Sequence, residues 1–549
     1  MRGIRVILGL QNQPTPPRTP AMLKISPLSL VRNGQRQSNR PTVEQLRDET
    51  QRACAQAVRW VETRASCTDE LSFRDVEREL REAVFTVGRA LVVLFLALRE
   101  QQLVEQDGGL RLQWLGRRFR PAPAIARNLS TMFGVVSYWR IYLREVAPGA
   151  RHGLHPLDLS LGLTRERFSW NVLMHAARLS AELSYATARS VLSDFVPHTP
   201  STEVIEQSML GLGAHTEAWF RLQPAPQDDG EVLVVEIDAK GVPTATCREL
   251  RRRRGKRTKR AGGGSPRHRG RLKRARHPKQ PRRSKGDKAK NAKMVTMVVM
   301  YTLRRVGTRR LEGPVHRRHY ASFGSKQRAF EIARREADKR GFGREQGRLV
   351  QLLTDGDNDY ARLANQYFPE ATHTVDCYHV FEKLWEAGTA FCKEGSAALR
   401  AWVAEQKQHL FDDEPEAVLA ELVQRRDAIA PTGPGNKGRR QRLRDAWTYL
   451  NKRMDKIRYG RLRRRDLAIS TGIVEGALKH IVARRCDHGG MRWIPERAQA
   501  VVQLRCIVVN GDWEAFDNFV HERLRAAAHL NAAPERIQTQ IPQQLPEAA

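Results

Sequence analysis

Three acidic residues stand where a polypeptide chain could hold divalent cations. Asp238 ends the apolar run VLVVEID, Asp355 ends the run VQLLTD, and Glu475 lies in TGIVEGALKH, a segment typical of a helix. Carboxylates held together at strand ends repel one another unless a cation neutralises them, and Mg²⁺ prefers such oxygen ligands. Two Mg²⁺ ions about 3.5 to 4 Å apart can activate an attacking oxygen and stabilise a leaving oxygen at phosphorus. The set therefore predicts phosphodiester chemistry with two Mg²⁺ ions, for which Mn²⁺ substitutes.

Other types of site were compared with the same residues. Most acidic residues at strand ends are turn or capping residues, so each one alone is weak evidence for a metal site. The segment DGDND begins like a calcium-binding loop, but Tyr360 stands where that loop requires glycine and Gln366 where it requires glutamate. The motifs H-E-x-x-H, G-x-x-x-x-G-K-S/T and G-x-S-x-G are absent from the sequence. The sequence thus offers no basis for zincin, P-loop or serine-hydrolase chemistry.

The elements that would position these acids predict an α/β fold. Near-continuous apolar runs of strand length occur at 232–241, 294–305 and 348–357, with a shorter one near 373–380. An amphipathic stretch at 325–341 lies among them, which predicts a mixed sheet with helices packed on it. The expected organisation is a disordered N-terminus (1–41), a mostly helical DNA-binding region (42–228), a catalytic core (229–394) with a basic loop (248–293), an all-helical insertion (395–465), a final part of the core (466–531) and a disordered tail (532–549).

Within the N-terminal region, alternating apolar residues after Thr131 predict a strand or hairpin, and 165–220 predicts three consecutive helices. The last of these is expected to begin at HTPSTEVIEQS, with Thr199 as N-cap and Pro200 at the first helical position. A short helix followed by a capped one is compatible with a helix-turn-helix DNA reader. Ordinary packing in a helical bundle explains the same pattern equally well.

The charge of the chain points to a polyanionic partner. Its 549 residues carry a formal charge of +35, with a pI near 10.7. The longest apolar run, 90–98, is too short to span a bilayer, which excludes a membrane protein and leaves DNA as the expected partner. The seven cysteines form no C-x-x-C pair and are expected to be reduced thiols in a cytoplasmic protein.

More than half of the excess charge lies in the basic tract, residues 248–293. It holds 22 lysines and arginines against Glu249 and Asp287, a net charge of +20. Such a glycine- and proline-containing run predicts a disordered loop that contacts the phosphate backbone. The residues expected to contact DNA there are Arg251, Arg252, Arg253, Arg254, Lys256, Arg257, Lys259 and Arg260.

Several separated segments in order resemble bacterial insertion-sequence transposases of the Kra type, which are related to the mutator group. They are VVEIDAKGVP, LLTDGDNDYARLANQYFPEATHTVDCYHVFEKLW, STGIVEGALKHIVARR and GGMRW, preceded by TMFGVVSYWR and HPLDLSLGL. The resemblance spans roughly 42–520. It implies an RNase H-like catalytic domain whose DDE triad falls on Asp238, Asp355 and Glu475, and a homo-oligomer that acts on DNA in the bacterial nucleoid.

The same resemblance bears on three further residues. Asp376 and His379 match the family's Asp/Cys-x-x-His signature, where His379 is either a core histidine or a residue that positions the active-site strand or the DNA. Trp493 is explained by core packing, while the resemblance leaves open stacking on an unpaired base. The family's glycine-serine-glycine before the glutamate is STG in this chain, and Leu478 stands where a cysteine is often found.

The function expected from these observations is that of a DNA transposase. Water would cleave at the element's terminal repeats, and the freed 3′-OH would then attack target DNA. Two alternatives stay open: a non-catalytic DNA-binding regulator derived from a transposase, and an RNase H-like nuclease that cleaves without strand transfer.

Overall fold

The computed structural model describes residues 40–67, 72–106, 113–114, 117–146, 153–164, 166–246, 250, 292–307, 310–488 and 490–531. Nearly all of the basic tract, residues 1–39 and residues 532–549 lie outside this part of the chain. The chain divides into two compact units, one comprising 1–175, 189–200 and 521–549, the other 176–188 and 201–520. Residues 201–228 belong to the same unit as the acidic triad.

The described residues form the following helices and strands. The helices are α1 (Val43–Ala65), α2 (Phe73–Gln106), α3 (Pro156–Leu161), α4 (Trp170–Glu182), α5 (Tyr185–Ser193), α6 (Thr202–Gly213), α7 (Thr216–Leu222), α8 (Lys326–Lys339), α9 (Asn358–Tyr367), α10 (Cys377–Gly388), α11 (Ala397–Phe411), α12 (Pro415–Asp427), α13 (Asn436–Asn451), α14 (Tyr459–Arg463), α15 (Gly472–Ala477), α16 (Arg484–Cys486), α17 (Pro495–Val509) and α18 (Trp513–Asn531). The strands are β1 (Gln113–Trp114), β2 (Arg117–Thr131), β3 (Gly134–Glu145), β4 (Gly153–Leu154), β5 (Val232–Pro243), β6 (Ala292–Val306), β7 (Arg310–Ser322), β8 (Leu349–Thr354) and β9 (Thr372–Val375).

The first unit contains an antiparallel sheet in the order β1-β2-β3-β4. Strands β2 and β3 form a hairpin, in which β3 corresponds to the strand or hairpin predicted after Thr131 and β2 was not predicted. Its turn ends at Gly134 with a φ of +108°, a conformation that favours glycine. Buried Leu46 of α1 and Val93 of α2 pack with Leu129 and Val136 of the hairpin in one apolar cluster. The N-terminal region therefore holds a sheet covered by two long helices and is less purely helical than expected.

The helical block after residue 165 contains α4 to α7, four helices where three were expected. The N-cap of α6 is Ser201, whose hydroxyl accepts a hydrogen bond from the Val204 N–H at 3.3 Å. The prediction of Thr199 as N-cap is therefore wrong. The run TPST offers several capping residues, and Ser201 is the one placed three residues before a free N–H of the first turn.

The second unit is built on a five-stranded mixed sheet in the order β7-β6-β5-β8-β9. Strands β7, β6 and β5 are antiparallel, whereas β5, β8 and β9 are parallel. The residues 232–237 of β5 are all buried, which explains their near-continuous apolar character in a sheet covered on both faces. The α/β expectation and four of the five strands are confirmed, and the edge strand β7 was not predicted.

The secondary-structure elements within residues 395–465 are all helical. The seam residues Leu443, Leu450 and Ile457 are buried. The six described cysteines, which exclude Cys247, are free thiols in the structure. In the described part of the chain, no helix has the length and apolar character needed to cross a membrane.

Candidate active site

The sheet places two of the predicted catalytic residues side by side. Strands β5 and β8 run parallel, and their last register pair joins Ile237 to Thr354. The next residue of β5 is Asp238, and the residue that directly follows β8 is Asp355. Because neighbouring strands lie about 4.8 Å apart, the two aspartates start from adjacent positions at the carboxyl edge of the sheet.

The same register extends to the third parallel strand. Thr354 pairs with Val375 of β9, and the Asp376 N–H donates to the Thr354 carbonyl at 2.9 Å. Asp376 is therefore the third aspartate at the next register position across β5, β8 and β9. Acidic residues at the carboxyl ends of adjacent parallel strands are well placed to face a ligand outside the sheet.

Glu475 joins this edge from a different part of the chain. It lies on α15, which contacts β5 and β6, and its side chain is 35% exposed. One carboxylate oxygen accepts from the Lys479 ammonium, four residues later, at 3.4 Å. That exposed contact is weak, and the three rotatable bonds of the side chain leave the carboxylate free to turn.

The electrostatics of Asp238 connect all three acids. The pKa of Asp238 is raised to about 6, mainly by burial and also by the negative charges of Asp355 and Glu475, while the Ala239 N–H and the charge of His379 lower it. The Asp238 Oδ1 accepts from the Ala239 N–H at 2.6 Å, and the Asp355 Oδ1 accepts from the Asp357 N–H at 3.0 Å. Like charges thus lie close enough to influence one another at this edge.

The three acids do not, however, form a compact ligand cluster. Among the described residues, no group of three or more histidine, cysteine, aspartate or glutamate side chains is arranged to hold a metal ion. Asp238 lies within β5, and Asp355 lies in the loop that directly follows β8. The geometry is therefore that of an adjacent aspartate pair with a third carboxylate nearby.

A contact between buried Asp376 and partly exposed His379 lies beside the triad. The Asp376 carboxylate is fully buried, and its Oδ2 pairs with the His379 Nδ1 at 2.7 Å. Its Oδ1 accepts from the Thr471 N–H at 2.9 Å, which ties the end of β9 to the segment that precedes α15. The hydrogen bond to Asp376 raises the pKa of His379 to about 9, so the imidazole is cationic at neutral pH. Its side chain is 37% exposed, which argues against a simple core histidine.

The loop after Asp355 is held by the helical insertion. Gly356 has a φ of +79°, and a Cβ added there would lie 2.4 Å from the Tyr449 hydroxyl oxygen. The Arg453 Nε donates to the Gly356 carbonyl at 2.8 Å, and its Nη2 donates to the Asn358 Oδ1 at 3.1 Å. The insertion therefore supports the backbone that carries Asp355.

Asp357, the neighbouring acid in DGDND, makes contacts that stabilise the local structure. Its carboxylate caps α9 through the Asp359 N–H at 2.7 Å and pairs with the Lys326 ammonium at 2.7 Å. Those contacts lower the pKa of Asp357 against the effect of burial. Asp357 thus has the capping role common among acidic residues at strand ends.

The helix that carries Glu475 continues into a π-helix at 478–483. Arg505 of α17 is fully buried and donates to the His480 carbonyl of this π-helix at 2.9 Å. It also pairs with the Glu182 carboxylate at 2.7 Å. Single π-helical turns leave carbonyls without regular partners and occur frequently at functional sites, so Arg505 stabilises an irregular segment beside the candidate site.

Trp493 is a packed residue. Its side chain is buried, and its indole N–H donates to the Cys486 carbonyl at 3.1 Å. The Arg485 guanidinium lies 4.9 Å from the centre of the indole ring, and the ring of Tyr185 meets it edge-on. Stacking of Trp493 on an unpaired base therefore finds no exposed ring face, and the packing interpretation explains this residue.

The expected DNA contacts are placed only in part. The eight arginines and lysines between 251 and 260 lie outside the described residues. Helix α6, considered for helix-turn-helix recognition, packs against α17, where a Cβ on Gly213 would lie 2.5 Å from the Ala500 Cβ. The Arg497–Glu206 ion pair at 2.6 Å fastens the same two helices. The bundle-packing interpretation accounts for this face of α6.

One residue central to the site was missed by the sequence analysis. Glu236 lies in β5, two residues before Asp238 and fully buried. Its Oε1 accepts from the Tyr301 hydroxyl at 2.9 Å and its Oε2 from the Val474 N–H at 2.8 Å. Burial raises the pKa of Glu236 to about 7, against the effect of these hydrogen bonds. The only indication in the sequence is one acidic residue inside an otherwise apolar run.

Comparisons with known proteins add little to this geometry. No protein-family model and no curated protein matches the chain. Among solved structures it is similar to the Drosophila P element transposase strand transfer complex, at 10% sequence identity and a TM-score of 0.21, over 67% of this chain and 84% of that chain. At that TM-score the similarity indicates neither a shared fold nor a shared function.

Proposed function

We propose that this chain is an insertion-sequence DNA transposase with an RNase H-like catalytic domain and a DDE triad of Asp238, Asp355 and Glu475. The observation that carries the proposal is the register of β5 and β8, which puts Asp238 and Asp355 next to each other at one sheet edge. The mixed five-stranded sheet and the influence of Glu475 on the pKa of Asp238 support it. The resemblance of the four motif segments to Kra-type transposases supplies the reaction class.

The donor atoms at this edge fit Mg²⁺. All three acids offer carboxylate oxygens, and the negative charges of Asp355 and Glu475 add to the effect of burial in raising the pKa of Asp238. When bound, two Mg²⁺ ions would supply activation of the attacking oxygen and stabilisation of the leaving oxygen. Asp238 and Asp355 would hold the ions, and Glu475 would complete the set by turning its side chain toward the aspartates.

The other residues of the site hold this arrangement in place. Arg453 and Tyr449 fix the loop that carries Asp355, and Asp376 fixes the start of the segment that carries Glu475. The cationic His379 beside Asp376 reduces the repulsion between the acids before DNA binds. The same cation would attract the phosphate backbone toward the carboxyl edge of the sheet.

We further propose that the DNA partner comprises the terminal repeats of the element and the target DNA, bound by a homo-oligomer in the bacterial cytoplasm and nucleoid. The basic tract would supply contacts to phosphates, and the helical segment before Phe220 would supply sequence preference. The formal charge of +35 is the observation in favour of a nucleic-acid partner.

A single assay tests the proposed function. Purified protein is mixed with labelled DNA of the element's ends, Mg²⁺ and a target plasmid, and both cleavage and joining are scored. We expect both products. Cleavage without joining would identify a nuclease, and specific binding with neither product would identify a DNA-binding regulator.

Metal dependence gives a second test. We expect cleavage and joining with Mg²⁺ or Mn²⁺, whereas Ca²⁺ should support DNA binding but little chemistry, because its larger and looser coordination does not fix the in-line geometry. Reaction rates with each ion, and after addition of EDTA, provide the measurement. Full activity in EDTA would contradict the proposed mechanism.

Substitution of Gly356 tests the support of the Asp355 loop. Gly356→Ala adds a Cβ 2.4 Å from the Tyr449 hydroxyl oxygen at a φ of +79°, so the loop must shift. We expect cleavage to fall about 10- to 100-fold, the usual effect of disturbing a group that orients a metal ligand. Gly395→Ala is the matched control, because its φ is +74° and no atom lies within 4 Å of its added Cβ. Equal cleavage by the two variants would show that the loop position is unimportant.

A further inference from the structure

Glu236 lies where burial of its carboxyl group costs free energy. Strand β5 is buried on both sides, and a carboxyl group in such a strand loses its hydration. Both oxygens are nevertheless engaged, one by the Tyr301 hydroxyl on β6 and the other by the Val474 N–H on α15. A buried polar group satisfied in this way fixes its partners in one arrangement.

The partner that matters is the backbone of α15. Val474 directly precedes Glu475, and the Val474 N–H is one of the donors that the first turn of a helix leaves without a helical partner. Asp376 accepts from Thr471 three residues earlier, so two buried carboxylates hold the segment 471–474. Glu236 and Asp238 belong to the same strand. The hydrogen bond to Val474 therefore links the backbone of one proposed ligand to the strand of another.

We propose that Glu236 is a positioning residue that sets the place of Glu475 relative to Asp238 through the Val474 N–H. This inference rests on the proposed function, in which Glu475 completes the acidic triad. Glu236 touches neither metal nor DNA in this role, because its carboxylate is fully buried and both of its oxygens are occupied.

Two substitutions separate positioning from charge. In Glu236→Gln, the amide carbonyl can still accept from Val474, while the amide N–H₂ can donate to the Tyr301 oxygen. In Glu236→Met, a side chain of similar length offers no comparable acceptor and leaves the Val474 N–H unsatisfied. The matched control is Glu336→Met, since Glu336 is also a buried glutamate that accepts from a tyrosine hydroxyl, that of Tyr320 at 3.1 Å.

The full-length variants are compared by three measurements: Mn²⁺ affinity by titration calorimetry, hydrogen exchange of peptides covering 471–478, and nicking of supercoiled plasmid in Mn²⁺. We expect Glu236→Met to weaken Mn²⁺ binding and nicking about tenfold or more and to speed exchange in 471–478. Glu236→Gln should stay within about threefold of the wild type, because it keeps both hydrogen bonds. Glu336→Met should leave exchange in 471–478 and Mn²⁺ affinity unchanged.

The opposite results overturn the inference. A Glu236→Gln variant as defective as Glu236→Met would show that Glu236 acts through its charge, and an unchanged Mn²⁺ affinity in Glu236→Met would show that it positions nothing. If Glu236→Met does not fold, Tyr301→Phe replaces it, with faster exchange in 471–478 expected and unchanged exchange contradictory. Hydrogen exchange decides the positioning role even if the wild type neither cleaves nor joins DNA, so failure of the proposed function is recognised separately.

Discussion

Asp238→Asn, Asp355→Asn and Glu475→Gln should each abolish cleavage and joining while leaving binding to element ends nearly intact. Each amide keeps the shape of the side chain but removes one negative charge from a set that must balance divalent cations. The loss should exceed about 100-fold, the upper range for residues that only orient metal ligands. Binding should survive because contacts to the DNA backbone are made largely elsewhere on the protein. Rates of cleavage and joining on labelled ends, with affinity from a binding titration, provide the measurement.

Asp359→Asn is the matched control for these substitutions. Asp359 belongs to the same acidic run as Asp355, but its side chain is 65% exposed and meets Lys326 only at 3.5 Å. An exposed pair of this kind contributes little, so the control should cleave at nearly the wild-type rate. Cleavage at the wild-type rate by Glu475→Gln would show the triad to be wrong. Asp357 would then be tested as the third acid, although its substitution also removes the N-cap of α9.

The strands that could be predicted are those whose burial on both faces makes their sequences apolar. Strands β5, β6 and β8 are apolar runs because both faces of the sheet are covered. Asp355 directly follows β8 as predicted, whereas Asp238 lies inside β5, which continues to Pro243. Strand β7 was missed because it is an edge strand whose sequence RLEGPVHRRHYAS is rich in charge and interrupted by proline. Strand β2 was missed for a related reason, since RPAPAIARNLST is dominated by small residues and prolines.

In the candidate site, only residues whose position can be read from one segment of the sequence were predicted. A carboxylate at a strand end can be found from one segment of sequence, whereas Glu236 has meaning only through Val474, 238 residues later in the chain. Asp376 similarly acts through Thr471, 95 residues away. No local pattern encodes such contacts, because they depend on how α15 packs against β5 and β6. The packing of Trp493 was equally hard to predict, since the ring of Tyr185 that meets its indole edge-on comes from a distant segment of the chain.

The basic tract is expected to supply most of the salt-sensitive affinity for DNA. Its net charge of +20 is more than half of the chain's +35, and it begins ten residues after Asp238 in the sequence. Each phosphate neutralised contributes about 0.9 to the slope of log K against log salt on duplex DNA. Engagement of only five phosphates would therefore change that slope by about 4.5 units. Replacing the tract with a neutral Gly-Ser linker of equal length should flatten the slope by several units, measured in binding titrations at several salt concentrations.

The same replacement separates affinity from recognition. Contacts to phosphates carry no direct information on base sequence, so the linker variant should lose affinity for element ends and random DNA alike. A second variant, with the residues of the tract in scrambled order, keeps the charge and should retain both the affinity and the slope. Sequence preference should then remain with the helical segment before Phe220. Loss of discrimination between element ends and random DNA, with the salt slope unchanged in the linker variant, would show instead that the tract itself recognises sequence.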